Sequence, residues 1–120
     1  MKIAFTTGSD SLAGPLDSRF GRAPRFLVYD DETGRLNVIE NRQNLNAAQG
    51  AGIQSAMQLA KQKVDCVVTG HCGPKAFQVL DAVGIKIYNC TAGTIAEAHE
   101  QLKNGELAAA ESANAEAHWV

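Results

Sequence analysis

"VDCVVTGHCGPKAFQVL" (64–80) is the stretch on which the fold reading turns. Its first seven residues, "VDCVVTG" (64–70), form a nearly continuous apolar run, as expected of a strand covered on both faces. The next residues are turn-like, and Pro74 suits the first turn of a helix, where its missing N–H costs nothing. Ala76, Phe77, Leu80 and Val83 give that helix a buried stripe, and Gly84 can end it. "IKIYN" (85–89) then reads as a second strand. Because a helix separates them, a right-handed crossover makes 64–70 and 85–89 parallel neighbours.

Working outward, Ile53, Ala56, Met57 and Ala60 recur at helical spacing and predict a helix ahead of the central strand. Before residue 46 the pattern is that of strands. "KIAFTTG" (2–8) is a first strand, and "RFLVYD" (25–30) is rich in aromatic and β-branched residues. "DETG" (31–34) is turn chemistry, and "RLNVIEN" (35–41) alternates as a hairpin partner. Downstream, Thr94 followed by Glu97 is a capping-box signature. Ile95, Ala98 and Leu102 face the core from the last helix, which Gly105 terminates. The order β-β-β-α-β-α-β-α predicts an α/β fold with a mixed five-stranded sheet and helices on both faces. A single domain is expected over 1–107. The alanine- and glutamate-rich stretch 108–120 is expected as a helix extension or a flexible tail.

The 120 residues suffice for one domain with its own core. A hydrophobic fraction of 45% with 20% charged residues is globular, neither disordered nor membrane-like. The net charge of −2 gives no overall basic field, so nucleic acid is not an expected partner. No segment approaches the length needed to cross a bilayer, and the first residues lack a signal peptide's apolar run, so the expectation is a cytoplasmic protein without a membrane partner. Cys66, Cys72 and Cys90 are odd in number and lack CxxC spacing, which predicts reduced thiols.

Ligands of open α/β sheets gather beyond the carboxyl ends of the parallel strands. "GHCGPK" (70–75) occupies such an end and leads into a helix N-terminus, where N–H groups and the helix dipole favour an anion. Gly73 permits close backbone approach and Lys75 adds a mobile positive charge. His71 and Cys72 are candidate ligands of a soft metal. A plain strand-to-helix turn with a partly exposed cysteine fits the same residues. "DSRFGRAPR" (17–25) places Arg19, Arg22 and Arg25 around Phe20 and Gly21, and arginine forks suit multi-oxygen anions. An ordinary solvated loop is the competing reading. If the first strand lies beside 64–70, both loops share one mouth.

Cys66, in mid-strand, reads as a small buried hydrophobe. Cys90 ends the neighbouring strand, where it can serve structure or face the same mouth as Cys72. His99 and His118 read as ordinary surface or satisfied residues. "QGAGIQS" (49–55) is only a fragment of a dinucleotide fingerprint and follows a hairpin strand, which argues against NAD. Adjacent residues on an extended chain point apart, so His71 and Cys72 make a poor catalytic dyad. No enzyme activity is expected.

"DSRFGRAPRFLVYD", "QGAGIQSAMQLAKQKVDCVVTGHCGPKAFQVLDAVGIKIY" and a closing helix with "NGEL" resemble the dinitrogenase iron–molybdenum cofactor biosynthesis (NifX/NafY-like) family over about residues 1–107. Among stand-alone members, the chain is similar to the orange-protein type. The resemblance implies a ribonuclease H-like fold and a non-catalytic role in binding or carrying a metal–sulfur cluster. That cluster is a molybdenum–copper sulfide, or alternatively an iron–molybdenum or other iron–sulfur cluster, with a donor or acceptor protein as partner. The cofactor-binding set expected on this basis is Arg19, Phe20, Gly21, Arg22, His71, Cys72, Gly73 and Lys75, with Cys72 and His71 touching metal. Several family members carry His where this chain has Arg19, so a ligand role does not transfer there and a charge-pairing role does. Two other classes stay open: a regulatory or scaffold module that binds a partner protein without a cluster, and a nuclease by fold analogy. The nuclease is disfavoured because "KIAFTT" and "CVVTG" carry no acidic residue.

Overall fold

Burial on both faces accounts for the apolar run that begins at Val64. The computed structural model describes residues 1–41 and 51–111. Within them run β1 (Lys2–Thr7), a single 3-10 turn (Phe20–Arg22), β2 (Arg25–Asp30), β3 (Arg35–Glu40), α1 (Ala51–Gln62), β4 (Cys66–Thr69), α2 (Pro74–Ala82), β5 (Lys86–Asn89) and α3 (Ile95–Lys103). The sheet order is β3-β2-β1-β4-β5. β2 is antiparallel to β1 and β3, whereas β1, β4 and β5 are mutually parallel. The expected element order and the β4–β5 parallel pair are both present.

Each face of the sheet has its own core. Ala4, Phe26, Val28 and Val67 pack with Ala56 and Leu59 of α1 and with Ala76 and Leu80 of α2. Ile3, Phe5, Leu27, Cys66 and Val68 pack with Ile95 and Ala98 of α3. Alternate residues of β1 and β4 therefore enter opposite cores, and neither strand has a polar side to spare. β3 is an edge strand, and only Ile39 along it is even partly buried.

Some details differ from expectation. α1 buries Gly52, Ser55, Ala56 and Leu59, while Met57, expected in the stripe, is 53% exposed. The polar Ser55 occupies a core position because its hydroxyl donates to Asn41 Oδ1 at 2.7 Å, and that disguised the true face. α2 ends at Ala82, which leaves Val83 as a largely exposed cap. Gly84 (φ +80°) and Gly105 (φ +74°) follow α2 and α3 in the left-handed conformation that closes a helix. Thr94 Oγ1 accepts the Glu97 N–H at 3.2 Å, which caps α3. Beyond α3 the chain does not continue as a helix up to Glu111. Ala109 instead bridges Tyr88 antiparallel, and the Ala110 N–H donates to Ile87 O at 2.7 Å. Residues 112–120, with His118, lie outside the described residues, as do residues 49 and 50 of the dinucleotide-like stretch.

Candidate functional site

The parallel strands β1, β4 and β5 end at one side of the sheet, and the loop from Gly8 to Pro24 crosses over that side. On the α3 face the Leu16 N–H donates to Gly93 O, while Gly14 O and Leu12 O accept the N–H groups of Ile95 and Ala96. The N-terminus of α3 is thus filled by loop carbonyls. The chain then passes over β1. The Asp17 N–H donates to Thr6 O at 2.7 Å, and Thr6 Oγ1 donates back to Asp17 O at 2.6 Å while lying 2.9 Å from Thr69 Oγ1. On the far side the loop sinks Phe20 fully into the α1/α2 core, against Phe26 at a ring separation of 5.6 Å.

Between those anchors the loop is joined to the β4–α2 turn. The His71 N–H donates to Ser18 O at 2.6 Å and the Phe20 N–H to His71 O at 3.0 Å, a parallel bridge between Arg19 and His71. This junction requires Gly70. A Cβ there would lie 2.7 Å from Ser18 O and 2.8 Å from Ser18 Cα, both backbone atoms. Asn89 Nδ2 reaches Gly70 O at 3.2 Å and ties in the end of β5. The two loops read from sequence as sharing a mouth therefore do meet.

The individual side chains divide by depth. Arg19 is exposed, with its N–H donated to Asp17 Oδ1 at 2.9 Å and its Nε 3.8 Å from the same oxygen. Lys75 is exposed in the first turn of α2, and Arg22 and His71 are half-buried. Gly21, Gly73 and Phe20 lie beneath the surface as backbone and anchor. Gly73 caps α2 without a side chain, so no side-chain group occupies that helix N-terminus from the cap position.

Cys72 faces inward. It is 1% exposed within the α1/α2 core, its Sγ is 3.7 Å from Gly73 O, and burial pushes its pKa up to about 12. A thiol held protonated in an apolar core is not poised to bind metal. The expected contact between Cys72 and metal thus meets a sealed thiol in this conformation. His71, its neighbour, lies nearer the surface, as alternation along an extended chain requires. Cys90 belongs to the other core: its Sγ accepts the Ala92 N–H at 3.3 Å, on the sheet face opposite Cys72. The two cysteines do not share a mouth. Cys66 is a core residue whose pKa burial likewise raises to about 12. His99 stands edge-on to Tyr29 at 5.1 Å, with Nε2 3.7 Å from Asp31 Oδ2, far from the mouth along the sheet.

Among the described residues no three His, Cys, Asp or Glu side chains group to hold a metal ion. Depressions in the described surface include one of about 400 Å³ beside Lys2, Asp30 and Arg35, and one of about 320 Å³ beside Phe77, Ile85 and Ala110. Among the described residues, Arg19, Arg22 and Lys75 give the mouth a cationic rim. Sequence reasoning missed Thr6, Thr69, Ser18, Asn41 and Asn89, which position the loops. Apart from Ser18, in the loop, their signal was polar residues at or next to strand ends.

The fold is thus a mixed α/β sheet with two cationic loops that meet over its parallel strand ends. The chain belongs to the dinitrogenase iron-molybdenum cofactor family, whose sequence model matches residues 1–105. It is similar to the apo form of the orange protein from Desulfovibrio gigas, at 36% identity and a TM-score of 0.89 over 95% of this chain and 96% of that one. A putative NifB protein from Thermotoga is 26% identical with a TM-score of 0.79, over 95% and 97% of the two chains. The uncharacterized protein MJ0580 of Methanocaldococcus jannaschii is 30% identical over 110 residues, 89% of each chain. Family and neighbours point to a cofactor-binding or carrier role for a metal cluster. No helix among the described residues is long and apolar enough to cross a membrane.

Proposed function

We propose that this chain binds a metal–sulfur cluster as cargo at the joined mouth and hands it on without chemical turnover, in the cytoplasm, between a donor and an acceptor protein. The bridge between Arg19 and His71 carries the reading, because it brings the arginine loop and the α2 N-terminus to one rim. A sulfide cluster is a polyanion. Guanidinium and ammonium groups with backbone N–H donors suit it as charge-assisted partners. Arg19, Arg22, His71 and Lys75 supply the contacts. Phe20, Gly21 and Gly73 shape the rim, and Cys72 underlies it, ligating only if the turn opens.

The likeness to the orange protein favours a molybdenum–copper sulfide over an iron–molybdenum or other iron–sulfur cargo. We read the strand order, with β2 reversed, as ribonuclease H-like; β1 and β4 carry no carboxylate for a nuclease's metals. The test is anaerobic mixing with tetrathiomolybdate and copper, then desalting and metal analysis. Arg19→Ala and Arg22→Ala should each lower affinity about tenfold to a hundredfold, the loss of one charge-assisted hydrogen bond at about 1.5–3 kcal/mol. Equal retention by both variants and by Lys75→Ala, all folded, would place any cargo elsewhere. No retention by the unaltered protein would favour the scaffold reading.

A further inference from the structure

A carboxylate stands inside this cationic mouth. Asp17 is anchored on both sides by its backbone, its N–H on Thr6 O and its carbonyl under the Thr6 hydroxyl. Its side chain is 20% exposed, against 55% for Arg19. The acid is therefore the better anchored of the two, and the guanidinium beside it the more exposed. Oδ1 of Asp17 holds Arg19 twice, at 2.9 Å from the backbone N–H and 3.8 Å from Nε.

Resting on the reading that the mouth takes an anionic cluster, we infer that Asp17 is a built-in rival for Arg19, positioned to weaken the grip and make the cargo releasable. Without cargo, Asp17 keeps the Arg19 guanidinium beside it. An arriving anion must draw the guanidinium away and also meets direct repulsion from the carboxylate, twice as large for a dianion as for a monoanion. The pair is partly exposed, so the rivalry is modest and does not close the site. When the cargo leaves, Arg19 returns to a waiting partner. Asp17 is thus a positioning residue with two separable duties: its oxygen holds the loop through the Arg19 N–H, and its charge competes with cargo.

Asp17→Asn separates them, because the amide oxygen still accepts the N–H while the charge is gone. Tetrathiomolybdate, a dianion, is titrated into the full chain and followed by its visible absorption. Asp17→Asn should bind about three- to tenfold tighter at low salt. Its affinity should also fall more steeply with added salt, since the rim has gained one net positive charge. In an Arg19→Ala background the gain from Asp17→Asn should shrink, because the rival has lost its object. Asp17→Ser, whose hydroxyl also suits the turn, repeats the test should the Asn variant fail to fold. Unchanged or weaker binding by folded Asp17→Asn or Asp17→Ser overturns the inference, as does an equal gain with and without Arg19. Either result leaves the cluster reading standing if the unaltered protein binds the probe. Failure of the unaltered protein to bind removes both.

Discussion

Replacing Gly70 with alanine tests the junction on which the site depends. The added methyl would sit 2.7 Å from Ser18 O, 2.8 Å from Ser18 Cα and 2.9 Å from Ser18 Cβ. Ordinary carbon contacts need about 3.5 Å or more, so the loop must retreat by roughly 0.7 Å. The His71–Ser18 bond, at 2.6 Å, and the Phe20–His71 bond, at 3.0 Å, lie on either side of the clash and cannot both survive that shift. Overpacking costs about 1–3 kcal/mol and a lost hydrogen bond about 1 kcal/mol more, so the expected destabilisation is about 2–4 kcal/mol. For a domain of this size that is a fall in Tm of roughly 8–16 °C. Gly8→Ala is the control, because its Cβ would meet only Pro24 Cγ at 3.7 Å. Urea and thermal unfolding followed by circular dichroism compare the two. A Gly70→Ala protein within about 0.5 kcal/mol of the parent would refute the claim that backbone contact at Ser18 holds the mouth together.

The Cys66 and Cys72 thiols, each with a pKa raised to about 12 by burial, favour the folded state only while protonated. Their contribution is therefore complete below the unfolded-chain value near 8.5 and is lost as pH climbs toward 12. Urea midpoints should drop steadily above about pH 9, and less so in Cys72→Ala. Native protein at neutral pH should likewise react with iodoacetamide at Cys72 far more slowly than unfolded protein. Asn41→Leu strips partners from Ser55 Oγ and Ala23 O, bonded at 2.7 and 2.8 Å, and should cost about 2–3 kcal/mol in denaturant unfolding. Met57→Lys should change stability by less than about 0.5 kcal/mol, since half of that side chain already meets water.

Most of the frame was legible because its signals are local. The apolar run at β4, the hairpin around "DETG", the Thr94–Glu97 cap and the glycines after α2 and α3 each specify their own element. α1 was legible as a helix but not in its orientation, because the buried Ser55 hydroxyl is bonded to Asn41, fourteen positions away. In the site, the arginines and the turn stood out by residue type, and their meeting followed from the adjacency of β1 and β4. Which of His71 and Cys72 enters the core could not be read. Alternation sets them on opposite sides, but which side is inside depends on how α1, α2 and the 3-10 turn pack. The contributions of Thr6 and Ser18 were hidden for the same reason: each acts through the backbone of a distant segment.

His71 is gripped by Ser18 through its N–H and by Phe20 through its carbonyl, so neither lip of the mouth can swing out alone. Loss of both bonds together would also loosen Phe20 from the core. In hydrogen-exchange terms, the amides of Phe20 and His71 should open as one unit with a shared protection factor, even though about fifty residues of chain lie between them. The junction is then one closure shared by two loops, and either amide reports on both.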